Sequence, residues 1–137
     1  MWLLWILACG DGPAPDVELP PEPVGVAEYI EGMWAQRALT VRAGLEEALL
    51  MRAAGKPAEA ADWVMQVYRG SFEPELEPLV REQVDPRVAA ELEYGFGLVR
   101  DAMRDRGEER VKARVEALCS TLDGASAQLD AKRAVLR

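Results

Sequence analysis

From Gly25 to Arg137, apolar residues return every three or four positions, and no stretch alternates with period two over a useful length. That spacing gathers them on one face of an α-helix and argues against a sheet as the core. A first helix is expected from roughly Ala27 to Ala54, where Ile30, Trp34, Ala38, Val41, Leu45 and Leu49 form one stripe. Gly55-Lys56-Pro57 ends it, glycine supplying a left-handed stop and proline opening the next helix. The second helix is expected from Ala58 to about Gly70, with Ala61, Val64, Tyr68 and then Phe72 on one side. Glu73-Pro74-Glu75-Leu76-Glu77-Pro78 breaks or kinks the chain, since each proline lacks the amide hydrogen a helix interior needs.

A third helix follows, interrupted at Asp85-Pro86, which reads as an N-cap with proline at the first helical position. Beyond it Val88, Leu92, Phe96, Val99 and Met103 mark a buried face to about Arg104. The fourth helix has the most regular pattern: Val111, Val115, Leu118, Leu122, Ala125, Leu129 and Leu136 fall almost on a heptad seam. Because the connections are short, the expected fold is all-α. It is an up-and-down antiparallel four-helix bundle over residues 25–137, with the third helix kinked or split near Asp85-Pro86. Gly95-Phe96-Gly97 in mid-helix costs propensity, about 1 kcal/mol per glycine, and points to close approach by another helix. It lacks the preceding strand and the spacing of a dinucleotide-binding loop.

The N-terminal residues follow another logic. Met1 to Ala8 carries no charged side chain, and as a helix it would rise only ~12 Å, short of a hydrocarbon core about 30 Å thick. Residues 10–24 hold five prolines (Pro13, Pro15, Pro20, Pro21, Pro23), the acids Asp11, Asp16, Glu18 and Glu22, and no base. Such a stretch is an extended, self-repelling tether reaching up to ~45 Å in polyproline form. Ile6-Leu7-Ala8-Cys9-Gly10, between these two stretches, resembles the lipobox of a bacterial lipoprotein signal peptide. The resemblance implies removal of residues 1–8, acylation of Cys9, and display of the domain from the periplasmic face of a bacterial membrane. The alternative is a cytosolic chain that leaves two tryptophans and four aliphatic residues exposed, an aggregation hazard.

The 24 acids against 16 bases give a formal net charge of −8, half of it in the tether. No basic stripe exists for DNA, RNA or anionic headgroups to recognise, so no nucleic-acid partner is expected. The chain has no histidine, which removes Ser-His-Asp and Cys-His arrangements and histidine metal centres. Glu46-Glu47, Glu91 with Glu93, and Glu108-Glu109 read as solvated charges of amphipathic helices, so the chain is not expected to be an enzyme. With Cys9 acylated, Cys119 has no partner and reads as a buried small hydrophobe.

One region carries a second resemblance. Phe72-Glu73-Pro74-Glu75-Leu76-Glu77-Pro78, then Asp85-Pro86, then Leu92-Glu93, Phe96 and Val99-Arg100 occur in the order of the periplasmic helical domain of bacterial iron permeases, which this half of the chain resembles. The permease membrane motif Arg-Glu-Gly-Leu-Glu has only a near miss at Arg42-Ala43-Gly44-Leu45-Glu46. The resemblance implies a periplasmic accessory of iron or other cation uptake, partnered by an iron permease or another envelope protein. Glu73, Glu75, Glu77, Glu91 and Glu93 would then serve as oxygen ligands for a hard cation. The competing expectation is a lipid-anchored helical scaffold that docks a protein partner and binds no metal.

Overall fold

The computed structural model describes residues 28–136; the lipobox, Cys9 and the tether lie outside the described residues. Five helices follow in order: α1 (Met33–Ala53), α2 (Pro57–Val67), α3 (Leu76–Leu79), α4 (Pro86–Arg104) and α5 (Glu108–Ala131). Widened turns at Tyr68–Phe72 and Val80–Val84 extend α2 and α3. Among the described residues there is no strand, so the fold is all-α as periodicity requires. α1 packs against α2 and α5, and α4 packs against the same two.

The short connections have the expected chemistry. Gly55 takes φ +82°, and the Gly55 and Lys56 amides donate back to the Arg52 and Met51 carbonyls at 3.0 and 3.1 Å, closing the end of α1. Asp85 is extended (φ −165°, ψ 132°), and its carboxylate accepts from the Arg87 amide at 2.7 Å, capping α4 behind Pro86. The chain therefore does split at Asp85-Pro86. Pro78 does not break it: it sits in the first turn of α3, where amides have no intrahelical acceptor to lose.

The core is one cluster in which Trp34, Val41, Leu45, Val64, Phe72, Leu76, Leu79, Leu92, Phe96, Met103, Leu122 and Leu129 are fully buried. Helix α3 is far too short to persist alone. Burial of Leu76 and Leu79, at about 1.5–3 kcal/mol each, holds it in place. Glycine governs two close approaches. A Cβ on Gly95 would lie 2.9 Å from Leu118 Cδ1, so the expectation of tight helix contact holds there. It fails at Gly97, where a Cβ would meet only open space, while a Cβ on Gly44 would lie 2.6 Å from Val67 Cγ2, a close approach that was not anticipated.

Two stripe residues are corrected. α1 begins at Met33 rather than Ala27, and Ile30 precedes it with 69% exposure. Leu136 lies past the end of α5 and is 38% exposed. In both cases the helix stops before the periodic pattern does. The physical reason is a tertiary tie between the start of α1 and the end of α5. Asp130 accepts from the Tyr29 hydroxyl (3.1 Å) and from the Trp34 and Ala35 amides (3.1 and 2.9 Å), so a residue of α5 caps α1. At the end of α5, Arg133 adopts φ +51°, and the Ala134 amide returns to the Leu129 carbonyl at 3.0 Å. That turn carries the Ala134 carbonyl to Trp34 Nε1, which donates to it at 2.8 Å. The Arg133 guanidinium lies 5.0 Å over the Tyr29 ring.

Candidate functional site

The acidic segment begins where α2 widens. The Glu73 amide donates to the Tyr68 carbonyl, five residues back, at 2.8 Å; Pro74 then has no amide with which to continue. Widened turns of this kind recur at functional positions. Here the turn keeps Tyr68 and Phe72 against Phe96, with ring centroids 5.2 Å apart for each pair. The Tyr68 hydroxyl points outward from this cluster and donates to Glu77 at 3.1 Å. Arg81 pairs with the other oxygen of Glu77. Burial, then the Glu77 bond, then the nearby charges of Glu77, Glu93 and Glu73 push the Tyr68 phenol up to about 12.

The five expected cation ligands fall in three places. Glu73 and Glu77 share a recess of about 350 Å³ with Pro78, Arg81 and Glu82, and Glu93 on α4 is close enough to Tyr68 to act on its phenol. Glu75 turns the other way and pairs with Arg37 of α1 at 3.0 Å. Glu91 lines a recess of about 220 Å³ between α4 and α5, together with Leu98 and Arg114. Among the described residues, no three His, Cys, Asp or Glu side chains are grouped so as to hold a metal ion. Arg81 comes from the next turn of the chain, four residues after the Glu77 it pairs with, whereas Arg37 comes from a helix that no local pattern connects to this segment.

Sequence reasoning passed over Tyr94. It lies off the buried stripe of α4, is 69% exposed, and forms the wall between the α4/α5 recess and a second one of about 470 Å³ lined by Glu93, Gly97 and Leu98. An aromatic falling outside the 92/96/99/103 spacing was the available signal. Cys119, by contrast, is where the apolar seam puts it, 1% exposed. Burial lifts its thiol to about 11, with the neighbouring Arg42 pulling in the opposite sense. The thiolate is therefore scarce near neutrality. Arg42 itself is tied to Asp123 at 2.9 Å and Glu116 at 3.2 Å.

No family model matches the chain, and no curated protein or solved structure matches it either.

Proposed function

We propose that the chain is a lipid-anchored, non-catalytic module of the bacterial envelope that docks a protein partner. Cys9 is the acylated residue, and the four long helices form an up-and-down antiparallel bundle on the periplasmic side. The observation that carries the docking reading is Tyr94, a large exposed aromatic flanked by two recesses on the outer face of α4. Aromatics so placed are the residues that dominate interface energetics. Glu91, Glu93 and Asp101 outnumber Arg100 and Arg114 in the two recesses and the whole chain carries −8, so the complementary partner presents an apolar side chain beside basic groups.

A cation-uptake role, with an iron permease as partner, is the second reading. It is favoured by the recess that Glu73 and Glu77 share; hard oxygen donors of this type suit ferric or ferrous iron.

Two measurements separate the readings. A photo-crosslinking residue at position 94 should give one discrete envelope adduct, with none from position 50; Tyr94→Ala should then weaken binding of the purified, identified partner by about tenfold or more. Ferric or ferrous iron should leave the melting temperature unchanged. A saturable rise abolished by Glu73→Gln with Glu77→Gln would instead establish the cation reading. Labelled palmitate entering the wild type and lost in Cys9→Ala tests the anchor.

A further inference from the structure

Two residues whose periodicity assigns them to the core, Ile30 and Leu136, are left in water, and the structure places both at one end of the bundle. Ile30 immediately follows Tyr29, whose hydroxyl is held by Asp130, and Leu136 stands two residues beyond Ala134, whose carbonyl is held by Trp34. The half-buried Met33 and Val135 adjoin them. The other large exposed apolar residues, Leu39, Leu50 and Tyr94, are spread along α1 and α4. This end is also where the segment bearing Cys9 enters the domain, because residue 28 continues directly from it.

We propose that this end of the bundle is a lipid-contacting surface, with Ile30 and Leu136 entering the interface of the membrane to which Cys9 is attached. The inference rests on the anchoring reading above and adds an orientation to it. Three physical points support it. First, the Asp130 cap and the Trp34 bond tie residues 29–35 to residues 130–134, so the two aliphatic side chains are presented together on one fixed end. Second, two aliphatic side chains bury too little area to recruit a protein from solution, but a tether that confines this end near the bilayer supplies an effective concentration in the millimolar range. Lipid anchors gain strength when a second contact acts beside the acyl chains. Third, with Glu28, Glu31 and Asp130 beside Lys132 and Arg133, and a chain charge of −8, attraction to anionic headgroups is not available. The contact must be apolar and insensitive to salt, which distinguishes it from polybasic adsorption.

The orientation directs the opposite end, with its Gly55-Lys56-Pro57 and Asp105-Arg106-Gly107 turns, away from the lipid. The test uses the full chain on phosphatidylcholine vesicles. It is attached through Cys9 by its own acyl chains or, where labelled palmitate does not enter, by a maleimide lipid; buried Cys119 is protected from that reagent. Backbone hydrogen exchange should slow about threefold or more on attachment at residues 28–34 and 130–136, and stay unchanged at 50–56 and 104–108. Raising the salt should leave the slowing intact, and Ile30→Ser with Leu136→Ser, both at exposed positions, should remove it without lowering the melting temperature. Equal exchange at both ends overturns the proposal. So does slowing that appears without vesicles as protein concentration rises, which would mean a second copy covers the surface. Palmitate incorporation without slowing sinks the orientation alone; slowing on the maleimide lipid without palmitate incorporation sinks the anchor alone.

Discussion

The two ends of the bundle are held by different means. At one end α1 joins α2 through Gly55-Lys56-Pro57, and α4 joins α5 through Asp105-Arg106-Gly107. Covalent turns do most of the holding there, and the side-chain ties, Arg52 to the Asp105 carbonyl at 2.9 Å and Arg104 to Asp62 at 3.4 Å, are exposed. At the other end, the start of α1, the end of α5 and the crossover of residues 73–85 meet with no short covalent link between α1 and α5. Asp130, Trp34 and the Ala134 carbonyl make that link instead, Lys132 reaches the Gln83 carbonyl, and Arg37 reaches Glu75. Where the chain does not close itself, bonds between residues far apart in sequence do so, the Trp34 indole bond buried and the Asp130 bonds to Tyr29 and Trp34 partly buried.

The largest effect should come from removing the cap. Asp130→Ala leaves two amides of α1 and the Tyr29 hydroxyl without their acceptor, a loss of about 2–3 kcal/mol by analogy with caps and charge-assisted bonds. Chemical denaturation should show it as a lower midpoint at unchanged slope, and Asp130→Asn should restore part of it. A cost near zero would mean that the two ends do not differ in the way described.

Next in size is an alkaline effect on the crossover. The Tyr68 phenol is raised from 10.0 to about 12 in the folded chain. Its contribution is thus complete below pH 10, where both states are protonated. Between pH 10 and 12 the unfolded chain releases the proton first, and stability falls. With Tyr68 only partly buried, the loss should be about 1–2 kcal/mol. Tyr68→Phe should flatten the stability profile in that window. The Cys119 thiol, raised from 9.0 to about 11, titrates in both proteins and cancels in the difference. Parallel profiles for the two proteins would refute the assignment.

What was legible in the sequence was what depends on neighbours in the chain. The Gly55-Lys56-Pro57 stop, the Asp85-Pro86 split and the buried stripes of α4 and α5 are each set by residues within a few positions of one another. The cap on α1 was not legible, because its acceptor lies 96 residues from the Trp34 amide it serves and reads in sequence as an ordinary polar residue of α5. The same tie made periodicity overrun both helix ends, at Ile30 and Leu136. For the candidate site, the resemblance grouped Glu73, Glu75 and Glu77 as ligands of one cation. The widened turn before Pro74 and the distant Arg37 divided them, and neither shows in a local pattern.

A smaller effect tests whether a local cap at the tied end differs in kind from the Asp130 cap. Asp85→Ala removes one acceptor, for the Arg87 amide at 2.7 Å, from an exposed helix start that water can reach. The expected cost is about 1 kcal/mol, no more than half that of Asp130→Ala, and Asp85→Asn or Asp85→Ser should recover most of it in the same denaturation series.

The smallest effect is expected at the end closed by turns. Arg52 donates to the Asp105 carbonyl from an exposed position, and a carbonyl released there is taken up by water. The flanking turn retains its own bond, the Asp105 amide to the Ala102 carbonyl at 3.2 Å, so the chain path from α4 to α5 survives the loss. Arg52→Ala should therefore change stability by no more than about 0.5 kcal/mol, and its urea midpoint should overlay the wild type. Hydrogen exchange should speed up only at residues 104–108, as a local opening, while residues 28–34 keep their wild-type protection. A cost approaching that of Asp130→Ala would show that the turns do not suffice to close their end and that both ends depend on side-chain ties.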